Sequence, residues 1–183
     1  MKKVSLIILL LACWVVSFAQ TQPIEFDENG EFSRIVEVKV TAQQAFQYCR
    51  AFLSNKIKDY QRAVQIEDAN TNRIQVNYQF RFMEDAQPLA PSTKAYYDAS
   101  ELSKLTVDCK DNKIRIKVEN PTYNYNYYAA NMLIDSRTNA EYWLVNGMVL
   151  DKKHFQTTRS NEYLWIILGM KQYIEQQVKD ENW

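Results

Sequence analysis

One nine-residue run constrains this chain more than any other segment. From Ile74 to Phe82, the residues Ile74, Val76, Tyr78, Phe80 and Phe82 alternate with Gln75, Asn77, Gln79 and Arg81. A strand turns successive side chains to opposite faces, so this run reads as a strand with one face buried and one in water. A sheet that is wet on one side is normally antiparallel, built from hairpins and covered by helices on its apolar face only. Other alternating runs supply its partners. Val36, Val38 and Val40 share a face within Phe32 to Val40, opposite Glu37 and Lys39. Val64 and Ile66 start a strand that turns through Asp68-Ala69-Asn70-Thr71-Asn72. Leu105, Val107 and Cys109 alternate with Thr106, Asp108 and Lys110, and Ile114, Ile116 and Val118 with Arg115, Lys117 and Glu119. Asp111-Asn112 between them gives a hairpin with a two-residue turn.

Two stretches have helical spacing instead. Thr41-Ala42-Gln43-Gln44 has the form of a capping box, in which two side chains satisfy free backbone donors at a helix start. Ala45, Tyr48, Cys49, Phe52, Leu53 and Ile57 then make one apolar stripe. Near the C-terminus, Ser160 is an N-cap candidate with Glu162 in the first turn. Tyr163, Ile167, Met170, Ile174 and Val178 follow at helical intervals. Gly169 weakens that helix by about 1 kcal/mol relative to Ala and marks a close backbone approach to the sheet. Asn29-Gly30 is a turn between Ile24-Glu25-Phe26 and Glu31-Phe32. Met83 to Ser100, with Pro88 and Pro91, reads as a loop. Residues 136–151 admit two readings. Ala140, Trp143, Leu144, Gly147 and Met148 fit a helix stripe, the preferred one, while Asn146-Gly147 fits a hairpin. The expected fold is α+β: an antiparallel sheet with two helices on one face, in the order β-α-β-β-β-β-α.

The N-terminus has a different character. Lys2 and Lys3 precede a nearly continuous apolar run from Val4 to Phe18, and Ser17-Phe18-Ala19 places small residues where a signal peptidase reads. Residues 1–19 are therefore expected to be a signal peptide, with a single domain from 20 to 183 and 121–159 as an uncertain insertion or extra element. The apolar run falls short of the roughly 20 residues that span a bilayer. Leu10-Leu11-Ala12-Cys13 loosely resembles a lipoprotein box. Lipidation at Cys13 is the disfavoured alternative, because Leu11 is large and Trp14-Val15-Val16 continues the run. The destination expected is the periplasm or the extracellular space. There one disulfide between Cys49 and Cys109 is permitted. The preferred reading of both is as buried small apolar residues.

Composition then excludes classes of function. The only glycines are Gly30, Gly147 and Gly169, too scattered for a phosphate-cradling loop. His154 is the single histidine, which rules out a two-histidine zinc site. It lies in the charged stretch Asp151-Lys152-Lys153-His154, and no Gly-x-Ser-x-Gly elbow accompanies it, so it reads as a surface residue. Loss of Lys2 and Lys3 from a chain with 22 basic and 22 acidic residues leaves two negative charges in excess. No basic surplus is present to attract nucleic acid. Glu84-Asp85, and Asp108 with Asp111, are the carboxylate pairs available for acid–base work, but they sit in turns or on a wet strand face. Glu25 to Gly30 only imitates the start of a calcium loop, since Val36 occupies the position of its bidentate Glu. No cofactor or metal is expected.

One tract is unusual. Tyr123, Tyr125, Tyr127 and Tyr128 interleave with Asn124 and Asn126. Tyrosine gives rigid amphipathic contact area and asparagine adaptable hydrogen bonding, a composition suited to stacking on a glycan or docking a protein. The preferred reading is the plainer one, an edge segment whose rings cover the end of the sheet.

The element order and several segments resemble a large family of secreted Bacteroidetes domains of unknown function with a TATA-binding-protein-like (TBP-like) fold. The segments are Phe26-Asp27-Glu28-Asn29-Gly30 leading into Ile35-Val36-Glu37-Val38, the helix through Tyr48 and Phe52, and Leu105 to Arg115. Asn112 stands where such relatives usually carry Gly. The resemblance implies fold and export, and no activity or DNA binding. The function expected is noncatalytic: binding of a protein or cell-envelope component through the tyrosine tract. A helix-grip-like carrier of a small apolar ligand is the alternative, and a hydrolase the weakest.

Overall fold

A computed structural model of the chain describes residues 23–86, 95–129, 132–139, 144–145, 148–149 and 152–181, with side chains for 23–81, 100–124 and 155–181. Strand β1 (Phe32–Glu37) leads through a bend into helix α1 (Ala42–Lys56) and a single helical turn, α2 (Tyr60–Ala63). Five strands follow: β2 (Val64–Asp68), β3 (Arg73–Ala86), β4 (Ala95–Lys110), β5 (Lys113–Ala129) and β6 (Met132–Asn139). A small hairpin, β7 (Leu144–Val145) and β8 (Met148–Val149), precedes the long helix α3 (Lys152–Glu181).

The sheet is antiparallel with order β1-β5-β4-β3-β2. Strand β6 also pairs with β5, beyond the end of β1. β1 faces residues 113–118 of β5 and β6 faces residues 122–129, so two strands lie end to end along one edge of a single long strand.

Local chemistry sets these elements. Gln44 N–H donates to Thr41 Oγ1 at 3.3 Å and Thr41 N–H to Gln44 Oε1 at 3.2 Å, the reciprocal capping box expected of this segment. Asp111 Oδ1 accepts from Ala42 N–H at 2.8 Å, tying the β4–β5 turn to the start of α1. Asn112 holds that turn with φ of 62°, a left-handed conformation that asparagine tolerates better than most residues. Lys110 pairs with Lys113 across it.

The core lies between the sheet and the two long helices. Ile74, Val76, Leu105, Val107, Ile114 and Ile116 point inward from the strands. Ala45, Cys49 and Leu53 meet them from α1, and Tyr163, Ile166, Met170 and Ile174 from α3. Phe26, Phe32, Phe80 and Tyr78 surround the ring of Tyr163, with centroids 5.2 to 6.2 Å away. The interface between sheet and α3 is thus occupied by side chains.

Several expectations require correction. Met83 to Ser100 is not simply a loop: β3 runs to Ala86 and β4 begins at Ala95, and cross-strand pairing from Met83–Asp98 to Ala86–Ala95 carries both past the apolar pattern. Pro88 and Pro91 lie outside the described residues. The antiparallel pairing of Leu144–Val145 with Met148–Val149 makes these residues strands and not part of the preferred helix, and Asn146 and Gly147 lie outside the described residues. Helix α3 starts at Lys152, so Ser160 is not an N-cap. It is buried mid-helix, and its Oγ accepts from Ile24 N–H at 2.7 Å. Gly169 approaches the Phe52 ring of α1 and not the sheet. The turn at Asn29-Gly30 is present, with Gly30 at φ of 74°, but residues 23–27 before it form no strand. The order actually adopted adds α2, β6, β7 and β8 to the expected elements.

Candidate functional site

The inward phase of β4 carries more than apolar residues. Glu101 and Ser103 precede Leu105, Val107 and Cys109 on the same face, and all five are buried. The apolar stripe of α3 likewise includes Arg159, one turn before Tyr163. These polar groups meet. Arg159 Nε donates to Glu101 Oε2, and Arg159 Nη2 donates to Glu101 Oε1 at 3.1 Å, a two-pronged pairing of guanidinium and carboxylate. Their side chains are 3% and 0% exposed. Tyr163 donates its hydroxyl proton to Glu101 Oε1 at 2.5 Å. A tyrosine has one proton to give, so at the 2.7 Å contact between Ser103 Oγ and Tyr163 Oη the serine is the donor. Burial first, and then the charge and hydrogen bond of Glu101, push the Tyr163 hydroxyl well above its ordinary pKa and keep it a donor. Arg159 loses hydration through burial, but hydrogen bonding and charge from Glu101 outweigh this and hold it above its usual range.

The same guanidinium is packed in aromatic rings. Its carbon lies 3.9 Å from the Phe26 ring centre, with Tyr123 at 5.3 Å and Phe155 at 6.0 Å. Cations are attracted to such ring faces, more strongly where water is excluded. Nη2 also donates to the Gly30 carbonyl at 2.9 Å. A Cβ on Gly30 would come within 3.1 Å of Pro121 and 3.2 Å of the Tyr123 hydroxyl, so glycine serves there both the positive φ and the close approach. One charged pair therefore joins the N-terminal turn, β4, β5 and α3. Chemically it is a clamp: its groups are satisfied and closed to solvent.

The tyrosine tract lies directly alongside. Tyr123 is 3% exposed, and its ring meets Phe155 edge-on at 5.2 Å. Tyr123 therefore presents no contact surface, and its ring belongs to the clamp. Tyr125, Tyr127 and Tyr128 continue β5, and their side chains lie outside the described residues. Their backbone register is described. Tyr125 stands between Ala99 and Ser136, Tyr127 between Tyr97 and Ile134, and Tyr128 between Tyr96 and Leu133. Tyr96 and Tyr97, hidden in a segment that reads as a loop, are thus cross-strand neighbours of the tract.

The remaining candidates have other partners. Asp108 accepts from Arg73 Nε at 2.6 Å and from Arg115 Nη2 at 2.6 Å. Burial raises its pKa, but hydrogen bonds and charge from both arginines outweigh this and lower it, the wrong direction for a general acid. Asp111 caps α1. Asp27 Oδ1 accepts from Asn29 and Glu31 N–H at 2.9 and 2.8 Å, which shapes the turn before β1. Glu162 accepts from the Tyr78 hydroxyl. His154 lies in the first turn of α3, and Glu84 and Asp85 lie in β3. The side chains of these three, and Cys13 altogether, are outside the described residues. Among the described residues no cluster of His, Cys, Asp and Glu is placed to hold a metal ion, and no helix is long and apolar enough to cross a membrane.

A family model described as a domain of unknown function (DUF4468) with TBP-like fold matches residues 32–124. The chain is similar in structure to a DUF4468 family protein from Bacteroides ovatus, with a TM-score of 0.46 and 15% identity over 87% of this chain and 88% of that one. It is also similar to a TBP-like protein from Parabacteroides distasonis, with a TM-score of 0.47 and 14% identity over 84% of this chain and 94% of that one. No curated protein matches.

Proposed function

The chain belongs to the DUF4468 family, a domain of unknown function with a TBP-like fold, and from that premise we propose that it is an exported, noncatalytic domain that binds a protein or cell-envelope component. The contact surface is the outer part of the sheet formed by β4, β5 and β6. The observation that carries this reading is the strand register, which sets Tyr96 and Tyr97 opposite Tyr128 and Tyr127 on a continuous β-framework. Aromatic positions held by a sheet offer contact area at low entropic cost, which suits glycan stacking and protein docking alike. The closed clamp next to them supports a scaffolding role for the charged residues. The side chains filling the interface of sheet and α3 favour a binding surface over a carrier of an apolar ligand.

The test is binding to isolated cell-envelope fractions, peptidoglycan and outer membrane separately. Tyr125→Ala, Tyr127→Ala and Tyr128→Ala combined are expected to lower retention at least tenfold while the melting temperature stays within a few degrees. Unchanged retention would remove the tract from the function. Export is tested by fractionation and intact mass. A mature protein starting at Gln20 supports simple secretion, a lipid-modified N-terminus at Cys13 supports anchoring, and an uncleaved chain in the cytoplasm would overturn export.

A further inference from the structure

Cys49 is the fourth residue after Ala45 on the inner stripe of α1, and Cys109 closes the inner row of β4 after Leu105 and Val107. Helix α1 packs directly over β4. Ala45 and Cys49, both fully buried, put small side chains at that contact and let the helix backbone approach the strand. The two thiols consequently lie on the facing sides of α1 and β4 within the core, with Cys49 at 0% and Cys109 at 4% exposure, near enough for Cys109 to raise the Cys49 thiol. Both are free in this structure. Two neighbouring thiols on separate packed elements differ from two isolated buried cysteines, because a bond between them would join α1 to β4.

We propose that Cys49 and Cys109 are a disulfide-forming pair that closes when the folding chain meets a dithiol–disulfide oxidant. This goes beyond the binding function, and it draws on the export reading only for where that oxidant is met. The chemistry is thiol–disulfide exchange. One cysteine, as thiolate, attacks the disulfide of the oxidant. A mixed disulfide forms, and one oxidant sulfur leaves as a thiol after taking up a proton. The second cysteine, deprotonated, attacks the first cysteine's sulfur. The Cys49–Cys109 bond forms, and the second oxidant sulfur leaves. Two protons and two electrons pass to the oxidant, which ends as a dithiol. Once folded, the reduced pair is sheltered. Hydrogen bonding to Cys109 and burial both raise the Cys49 thiol, which suppresses the thiolate that exchange requires. Closure therefore belongs to folding, before α1 seals the strand. The bridge encloses about 60 residues of chain, a loop long enough for a sizeable restriction of the unfolded state.

The experiment uses the full chain carrying Cys13→Ser, so that two thiols remain. It is refolded with oxidised and reduced glutathione, or with reductant alone, and alkylated with a maleimide after unfolding. The expected result is no alkylation and an intact mass about 2 Da below the reduced form after oxidative refolding, and two alkylations after reductive refolding. The oxidised protein should melt several degrees higher, and dithiothreitol added after unfolding should abolish the difference. Cys49→Ala and Cys109→Ala variants should each keep one reactive thiol and melt alike under both conditions. Two reactive thiols after oxidative refolding, or glutathione adducts in place of an internal bond, would overturn the proposal. Neither result depends on where the protein resides, so a failure of export would show in fractionation alone.

Discussion

Glu101 and Arg159 are the pair on which single-residue changes should weigh most. Each is an ion held out of water, and each is compensated only by the other and by the groups around it. Removing one partner of such a pair costs about 3–5 kcal/mol, because the remaining charge is stranded, whereas replacing both with apolar residues of similar volume is often far milder. Glu101→Gln is therefore expected to lower the urea unfolding free energy by about 3 kcal/mol. Glu101→Leu combined with Arg159→Met should recover most of that loss, and additive single-variant effects in the double-mutant cycle would contradict the clamp. Tyr163→Phe deletes one donor to a buried carboxylate and should cost about 1–2 kcal/mol in the same assay. The clamp was only partly legible in the sequence. Glu101 falls on the same parity as Leu105, Val107 and Cys109, and Arg159 falls on the stripe of Tyr163 and Met170. A charge in phase with an apolar face is the signal that finds such residues. It was masked because the segment before Glu101 looks like a loop and because Ser160, next to Arg159, looks like a helix start.

Elements defined by local chemistry were the ones readable in advance. The capping box at Thr41, the Asp111-Asn112 turn and the nine-residue alternation of β3 all depend on near neighbours, and the structure contains each of them. Elements that depend on distant partners were not readable. The outer ends of β3 and β4 lack an apolar rhythm and are strands because they pair with each other, and α3 begins eight residues before its apparent cap. Two predictions belong here. Thr41→Ala should destabilise α1, and with it the fold, by about 1 kcal/mol in denaturant unfolding, and Thr41→Ser should restore most of it. Gly169→Ala should fail to deliver the gain of about 1 kcal/mol that helix propensity alone promises. The added methyl would lie 3.1 Å from the edge of the Phe52 ring. In a Phe52→Leu background the same change should stabilise, measured as a melting temperature, if that contact is what cancels the gain.

For the molecule as a whole, the solvent-facing side of the sheet sets the response to acid. Asp108 lies between Arg73 and Arg115 on adjacent strands, and its folded pKa is below the ordinary carboxylate value. A depressed folded pKa contributes stability above the unfolded value of about 3.9, and that contribution fades as pH falls through the folded value. The two arginines are 46% and 43% exposed, so solvent screens the pair and the contribution is about 1 kcal/mol or less. Asp108→Asn should therefore lower the melting temperature at pH 7, converge with the parent as acid protonates the folded carboxylate, and differ less from it in 1 M salt. Melting curves over that range check all three. At this scale the long β5 has one more consequence. β1 grips its first half and β6 its second, on the same edge, while β4 runs beside nearly its full length. The level between the two grips is where β4 bulges at Leu102–Lys104 and where Asn120 turns left-handed at φ of 50°. The clamp of Glu101 and Arg159 sits at that level. In mechanical terms β5 is a lever whose fulcrum is bolted: the ion pair fastens the level at which its tyrosine-bearing end leaves the helix-covered core.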